Sequence, residues 1–232
     1  MHLKAAIVEV VNAARDREGL IPLWVGEGNL PTPEFICNAA KASMDAGETF
    51  YTHQRGIPEL REALAGYHRD LYRKPFSMDQ FFVTGSGMQA MQIAVQCVCG
   101  GRATRWCSQA QPGRTWPPVV GIMGGRAVPV TMDHDDAGWS LDPQKLFDAV
   151  TPQTRAIYLN SPSNPTGWVA DRQLLTTILE EARRNRGLWI LADEVYGRFS
   201  YQGAGAGSLL QRDCRPGRQD PVSSIRFPRT GP

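Results

Sequence analysis

Apolar residues recur at helical spacing in several stretches of the chain. Within Pro58–Arg73, the residues Leu60, Leu64, Tyr67 and Leu71 follow one another at intervals of four, three and four. This spacing places them on one face of a helix, and the proline favours a helix start. The same reasoning predicts a helix over Glu34–Gly47 with Pro33 at its start, one over Met88–Val98, and one through Arg184 that Asp171 can cap. Within Met1–Gly19 the sequence predicts an amphipathic helix rather than a signal peptide.

Shorter apolar runs alternate with these helices. Leu188–Ala192 is almost continuously apolar, which is typical of a strand in a parallel sheet that is covered on both faces. Further strands are predicted over Phe81–Thr84, Arg126–Thr131 and Ala156–Asn160. Strands that alternate with helices indicate an α/β fold with a mostly parallel sheet.

Two stretches interrupt this alternation. Residues 101–115 have no usable period, and residues 206–232 are rich in Arg, Pro, Gly and Ser. Segments of such composition bury little apolar surface, so the sequence predicts loops or disordered segments at both places.

The composition is that of a globular protein. Of 232 residues, 42% are hydrophobic and 21% are charged, and a net charge of +2 does not indicate nucleic-acid binding. No apolar run approaches the ~18–20 residues of a membrane span. The cysteines form no C-x-x-C pair and the histidines no H-E-x-x-H motif, so we expect no metal site and a reducing, cytoplasmic setting.

The segment Gly85-Ser86-Gly87-Met88 lies where a predicted strand meets a predicted helix. Backbone N–H groups at a helix N-terminus suit a phosphate, and glycine lets the ligand come close. An ordinary glycine turn that opens a helix explains the same letters.

A carboxylate and a rigid turn follow two of the predicted strands. Asp193 ends one strand, and ligands of open parallel sheets lie at the carboxyl ends of strands. Tyr196 comes three residues later. Asn164 lies between two prolines, and Gly167 allows an unusual dihedral, so a stiff turn presents the Asn164 amide. A helix cap or ion pair for Asp193, and simple packing for Tyr196, are the alternatives.

Six segments lie within residues 7–100 and 119–203: VGEGNLPTP, FYTHQRGIPELREAL, VTGSGMQAM, GWSLDPQKL, TRAIYLNSPSNPTG and ILADEVYGRFSY. Together, and in this order, they resemble the fold-type-I pyridoxal-phosphate (PLP) aminotransferases of the aspartate-aminotransferase type. The resemblance implies the large PLP-binding domain of that fold, with its sheet incomplete on the C-terminal side. It implies that residues 1–33 belong to the small domain and 34–205 to the large domain.

The resemblance also implies a role for each matching residue. The backbone of Ser86–Met88 binds the cofactor phosphate, Asn164 and Tyr196 hold the ring 3-oxygen, and Asp193 holds the pyridine nitrogen. Gly26 and Asn164 contact the substrate. Tyr51 reaches the partner's phosphate in a homodimer. The family moves an amino group from an amino acid to a 2-oxo acid.

The chain departs from the family at the two interrupting stretches. Where the family has a GDEV…P.P.W segment, this chain has 101–116, and the SFSK motif with its Schiff-base lysine is absent from 206–232. Lys41, Lys74 and Lys145 lie in other predicted elements and are poor substitutes. We therefore expect little or no transamination by this polypeptide.

A change of reading frame accounts for both departures. Choosing codons for 102–116 and reading one base out of phase permits GDEVVFPGPAWPNV. The same exercise permits APSFSVIADPEDKIL for 207–221 and FVNSFSKNWA for 222–232, including the lysine motif. We infer small insertions or deletions in the encoding DNA, from a pseudogene or from sequencing error.

Two alternatives share the same motifs. A PLP-dependent β-lyase or an aminocyclopropane-carboxylate synthase-like enzyme has the same fold. A non-catalytic pseudoenzyme that pairs with an intact partner through the Tyr51 region belongs to a different class.

Resequencing the locus tests the frameshift hypothesis. We expect compensating insertions or deletions within the codons for 101–116 and after about residue 206, because three family-like segments follow in chain order. High-quality reads that preserve the present frame would contradict it.

Overall fold

The fold is described from a computed structural model. It describes residues 6–21, 30–98, 105–110, 116–185, 187–199, 208–209 and 222–225. The chain divides into two compact units, Met1–Phe50 with Thr230–Pro232, and Tyr51–Arg229. This division differs from the boundary drawn after residue 33, because the helix that starts at Glu34 falls in the first unit. The assignment of segments to the family's two domains stays a prediction.

The first unit contains two helices, α1 (Ala6–Ala14) and α2 (Glu34–Asp45). Pro33 precedes α2, as the sequence predicts, and Gly47 adopts a left-handed φ of 75° just beyond its end. Glycine has no Cβ to oppose that conformation, so it ends the helix readily.

Five further helices lie in the second unit. They are α3 (Pro58–Tyr72), α4 (Gly87–Val98), α5 (Trp116–Ile122), α6 (Pro143–Asp148) and α7 (Arg172–Arg184), with a short 3₁₀ turn at Met78–Gln80. The predicted cap of α7 is confirmed, because the Asp171 carboxylate accepts from the Leu174 backbone N–H at 2.8 Å. Among the described residues, no helix is both long and apolar enough to cross a membrane.

A parallel sheet forms the centre of the second unit. The strands among the described residues are β1 (Arg105–Ala110), β2 (Arg126–Thr131), β3 (Asp133–Asp135), β4 (Gly138–Ser140), β5 (Thr154–Asn160), β6 (Trp189–Asp193) and β7 (Val222–Ile225). The sheet has the order β2-β1-β5-β6-β7 with parallel neighbours, and β3 and β4 form a separate antiparallel pair. The predicted α/β fold is confirmed.

The side chains of β5 alternate between two apolar layers. Ile157 and Leu159 pack in a cluster with Ile178 of α7. Tyr158 faces the opposite way and packs in a second cluster with Met91 of α4. This period of two follows from the pleat of a strand, and both faces of the sheet are therefore covered.

β6 repeats this alternation beside β5. Ile190 and Ala192 are in the α7 cluster, whereas Leu191 is in the α4 cluster. Asp193, two residues after Leu191, continues the α4 side. The sheet thus places the Asp193 carboxylate on the face that carries Tyr158.

Part of the loop prediction for the two interrupting stretches is wrong. Residues 105–110 form β1, which pairs with β2 on one side and β5 on the other. Residues 222–225 form β7 beside β6. Neighbouring strands supply hydrogen bonds to the backbone whatever the local composition, so the tertiary setting overrides the local preference.

The strand predicted over Phe81–Thr84 does not form. Phe81 has extended backbone angles, but the Val83 N–H donates to the carbonyl of Arg55 at 3.0 Å, in a loop. An extended segment without a neighbouring strand forms no ladder.

The α7 core contact gives a stability test. Ile178 is fully buried, so Ile178→Ala should lower the free energy of unfolding by about 2–5 kcal/mol through lost burial and a residual cavity. Ile122, which is 71% exposed at the end of α5, provides the control, and Ile122→Ala should change it by less than about 0.5 kcal/mol. Chemical denaturation measures both, and equal losses would contradict this core assignment.

Candidate functional site

The carboxyl ends of β5 and β6 lie side by side. Asn160, the last residue of β5, pairs in register with Asp193, the last residue of β6. The Asn160 side chain is buried and its Nδ2 donates to the Asp193 backbone carbonyl at 3.1 Å. A side-chain amide that bonds the neighbouring strand's backbone fixes the relative position of the two strand ends.

The same asparagine also holds the turn that follows β5. Its Oδ1 accepts from the Asn164 backbone N–H at 3.1 Å. Within the turn, Gly167 donates its N–H to the Ser163 carbonyl at 2.8 Å and adopts a φ of 70°. A φ of this sign favours glycine, so the predicted unusual dihedral is confirmed.

Asn164 and Tyr196 come together at this edge of the sheet. Asn164 Nδ2 donates to the Tyr196 hydroxyl oxygen at 2.7 Å, and both side chains are half-buried. The turn after β5 and the turn after β6 therefore present an amide and a phenol at one point. Their predicted shared role as ligands of a ring oxygen stays a prediction. That role requires the two side chains to lie close together, and they do.

Asp193 carries the negative charge of the site. Its Oδ2 accepts from the Tyr158 hydroxyl at 2.5 Å, and Val195 N–H lies 3.4 Å from its Oδ1. The carboxylate is half-buried at the open end of the sheet. A partly desolvated carboxylate interacts more strongly with a cation than one in bulk water does.

The segment Gly85–Met88, which the sequence predicts to bind a phosphate, lies at the N-terminus of α4, on the face of the sheet that carries Asp193. Ser86 Oγ accepts from the Gln89 N–H at 3.2 Å, and Gly85 N–H donates to the Gln89 side chain at 2.8 Å. One turn later, Met91 packs in the cluster that contains Tyr158. The backbone N–H groups of the first turn of a helix have no acceptor within the helix, so this end attracts an anion.

A buried carboxylate braces the segment after β6. Glu194 is 5% exposed, and it accepts from the Ser208 hydroxyl at 2.9 Å and from the Leu209 N–H at 2.8 Å. The two donors belong to adjacent residues, 14 and 15 positions after Glu194 in the chain. Because Glu194 sits between Asp193 and Tyr196, these bonds restrain the segment that carries both.

Tyr51 and Gly26 are the two remaining predicted site residues. The Tyr51 side chain is fully exposed, so it is accessible to a second molecule. Its predicted contact with a partner subunit stays a prediction. Gly26 lies in 22–29, outside the described residues.

Three contributors were missed from the sequence. Asn160, Tyr158 and Glu194 each place a polar group inside or beside an apolar strand. Buried polar groups require hydrogen-bond partners, and that requirement was the available signal. In three of the hydrogen bonds described, however, the partner lies more than 10 residues away in the sequence, so the sequence alone does not identify that partner.

The cluster offers a distinct set of chemical groups. It has the Asp193 carboxylate and an amide–phenol pair at the carboxyl ends of β5 and β6, and a helix N-terminus on the Asp193 face of the sheet. No group of three or more His, Cys, Asp or Glu that could hold a metal ion occurs among the described residues. The carboxylate suits a cationic nitrogen, and the helix N-terminus suits an anionic group.

Comparison with known proteins gives one consistent result. A family model described as aminotransferase class I and II matches residues 19–219. The chain is similar to an aspartate aminotransferase of Pyrococcus horikoshii, at 30% identity over 87% of this chain and 51% of that protein. It is 33% identical to aromatic-amino-acid aminotransferase 2 of Thermococcus litoralis, over 89% of this chain and 53% of that protein.

A solved structure shows the same likeness in three dimensions. The aspartate aminotransferase from Thermus thermophilus with maleate has a TM-score of 0.83 and 29% identity, over 97% of this chain and 58% of that chain. The chain thus spans about half the length of the curated relatives it matches.

The brace at Glu194 gives a second stability test. The two carboxylate oxygens of Glu194 each accept a hydrogen bond, whereas the amide of Glu194→Gln has only one oxygen to accept with. We therefore expect Glu194→Gln to lower the free energy of unfolding by about 1–3 kcal/mol. Glu59→Gln, at an exposed position in the first turn of α3, should cost less than about 1 kcal/mol. Thermal or urea unfolding measures both. If the two variants lose the same stability, Glu194 does not brace the segment.

Proposed function

Because the chain belongs to the aminotransferase class I and II family, we propose that its site binds PLP and that its activity is amino-group transfer. The reaction class is transfer from an amino acid to a 2-oxo acid. The observation that carries the proposal is the convergence of Asp193, Asn164 and Tyr196 at the carboxyl ends of two adjacent parallel strands.

The donor set fits the cofactor chemically. PLP has a basic ring nitrogen, a ring 3-oxygen and a phosphate. The Asp193 carboxylate is the partner that a protonated ring nitrogen requires, and Asn164 with Tyr196 offers donors to an oxygen. The N-terminus of α4 at Ser86–Met88 offers backbone N–H groups to a phosphate.

When bound, PLP acts as an electron sink for the substrate's α-carbon. This chain's residues set the conditions for that chemistry. Asp193 holds a proton on the ring nitrogen by pairing with it. Asn164 and Tyr196 orient the ring through its oxygen, and the α4 N-terminus anchors the phosphate. The parallel pairing of β5 with β6 positions these groups relative to one another.

We further propose that this polypeptide, with the sequence as it stands, does not catalyse transamination. The lysines of the sequence are Lys4, Lys41, Lys74 and Lys145. Lys145 is bound to Asp133 by Nζ–O distances of 2.6 Å, in the region of the β3–β4 pair. The covalent chemistry of a lysine at the site is therefore not supplied by Lys145.

We propose substrates, assembly and location at the level of class, by analogy with the family. The relatives are named for aspartate and for aromatic amino acids, so we propose amino acids and 2-oxo acids as the substrate classes without a single donor. A homodimer in which Tyr51 meets the partner, and a cytoplasmic location, are part of the same proposal.

Ligand binding tests the site directly. The ligand 4′-deoxypyridoxine 5′-phosphate lacks the aldehyde, so it reports binding without reaction at a lysine. Asp193→Asn should weaken its binding by about 10–150-fold, because a hydrogen bond to a charged group contributes about 1.5–3 kcal/mol. Asp70→Asn, at an exposed position in α3, is the control and should leave the dissociation constant unchanged. Wild-type protein that fails to bind in calorimetry would overturn the proposal.

Borohydride treatment with PLP tests the inactivity. We expect no cofactor to become fixed at the site, because the sequence lacks the family's SFSK lysine motif and Lys145 is held by Asp133. A single lysine labelled stoichiometrically by mass spectrometry would show that a lysine serves the site, and would contradict the inactivity.

A further inference from the structure

We propose that Tyr158 is a positioning residue of this site, and that its hydroxyl orients the Asp193 carboxylate toward the ring nitrogen of the bound cofactor. The inference rests on the proposed function and deepens it. Tyr158 would touch neither substrate nor cofactor and would act through Asp193.

The sheet brings the two side chains to the same face. Tyr158 pairs in register with Leu191, and Asn160 pairs with Asp193, one repeat further along the two strands. Residues two apart on a strand point to the same side, so a long side chain at 158 reaches diagonally to 193. The hydroxyl–Oδ2 distance of 2.5 Å shows that it does.

The tyrosine side chain is more deeply buried than that of the aspartate. Tyr158 is 8% exposed and its ring packs with Met91, Val95 and Leu191, whereas Asp193 is half-buried at the open end of its strand. A packed ring on a central strand has little freedom to change rotamer. The packed tyrosine therefore determines where the Asp193 carboxylate points.

The contact also has an electrostatic consequence. A hydrogen bond donated to a carboxylate favours its ionised form, and that form pairs with a protonated ring nitrogen. An O–H···O⁻ bond of this length belongs to the charge-assisted class. Each carboxylate oxygen accepts more than one hydrogen bond, so the tyrosine leaves acceptor capacity for the ring.

A merely structural role for Tyr158 makes a different prediction. Any buried hydroxyl needs a partner, and its loss would then lower stability alone. The positioning role instead requires an effect that depends on the ring nitrogen of the ligand. The test uses 4′-deoxypyridoxine 5′-phosphate and its analogue in which carbon replaces that nitrogen.

The variants are Tyr158→Phe and the control Tyr72→Phe. Tyr72 is also 8% exposed, but it packs in the α3 cluster with Ala65 and Phe76. For Tyr158→Phe we expect about tenfold weaker binding of the nitrogen-containing ligand, the size of one hydrogen bond, and less than about twofold change for the carbon analogue. Tyr72→Phe should leave both dissociation constants unchanged.

Each outcome decides the inference. Equal effects of Tyr158→Phe on the two ligands, or no effect on either, would overturn it. In that case the proposed function would still stand if the wild-type protein binds the nitrogen-containing ligand and Asp193→Asn abolishes that binding. Wild-type protein that binds neither ligand would overturn both.

A measurement without ligand checks the contact itself. Unfolding of wild type, Tyr158→Phe, Asp193→Asn and the double variant forms a double-mutant cycle. We expect a coupling of about fivefold or more in the folding equilibrium, as for one net hydrogen bond. Additive effects of the two substitutions would overturn the inference whatever the ligand data show.

Discussion

The parallel pairing of β5 with β6 is the constraint on which the site depends. It sets Asn160 opposite Asp193, and the Asn160 amide then bonds the backbone of β6 on one side and the turn at Asn164 on the other. The pairing of β5 with β6 therefore sets the positions of both turns, the one that carries Asn164 and the one that carries Tyr196. If the register slipped by one residue, Asp193 would point into the α7 layer and the cluster would be lost.

The two apolar layers make this register unambiguous. Ile157 and Leu159 need the α7 side, while Tyr158 needs the α4 side. A shift of one residue would exchange these side chains between the two layers. The polar groups of the site lie where this covered sheet opens, at the carboxyl ends of its strands, as in open α/β sheets generally.

Much of the scaffold follows from local patterns in the sequence. The strand at Arg126–Thr131 has the predicted bounds, and Asp171 caps α7 as expected, since both depend on neighbouring residues. The Asn164–Tyr196 pair was also anticipated, through the resemblance to a family. In contrast, β1 and β7 were missed because their backbone bonds come from distant strands, which the local composition of 105–110 and 222–225 does not reveal. Tyr158 was missed for the same reason, since its partner lies 35 residues away.

A crystal structure of the protein with 4′-deoxypyridoxine 5′-phosphate tests the central claim most directly. The account predicts the ring nitrogen within hydrogen-bond distance, about 2.7–3.0 Å, of an Asp193 carboxylate oxygen, and the phosphate at the N-terminus of α4. The ring oxygen should lie against Asn164 and Tyr196. A ligand bound elsewhere, or bound here with its nitrogen away from Asp193, would contradict the account.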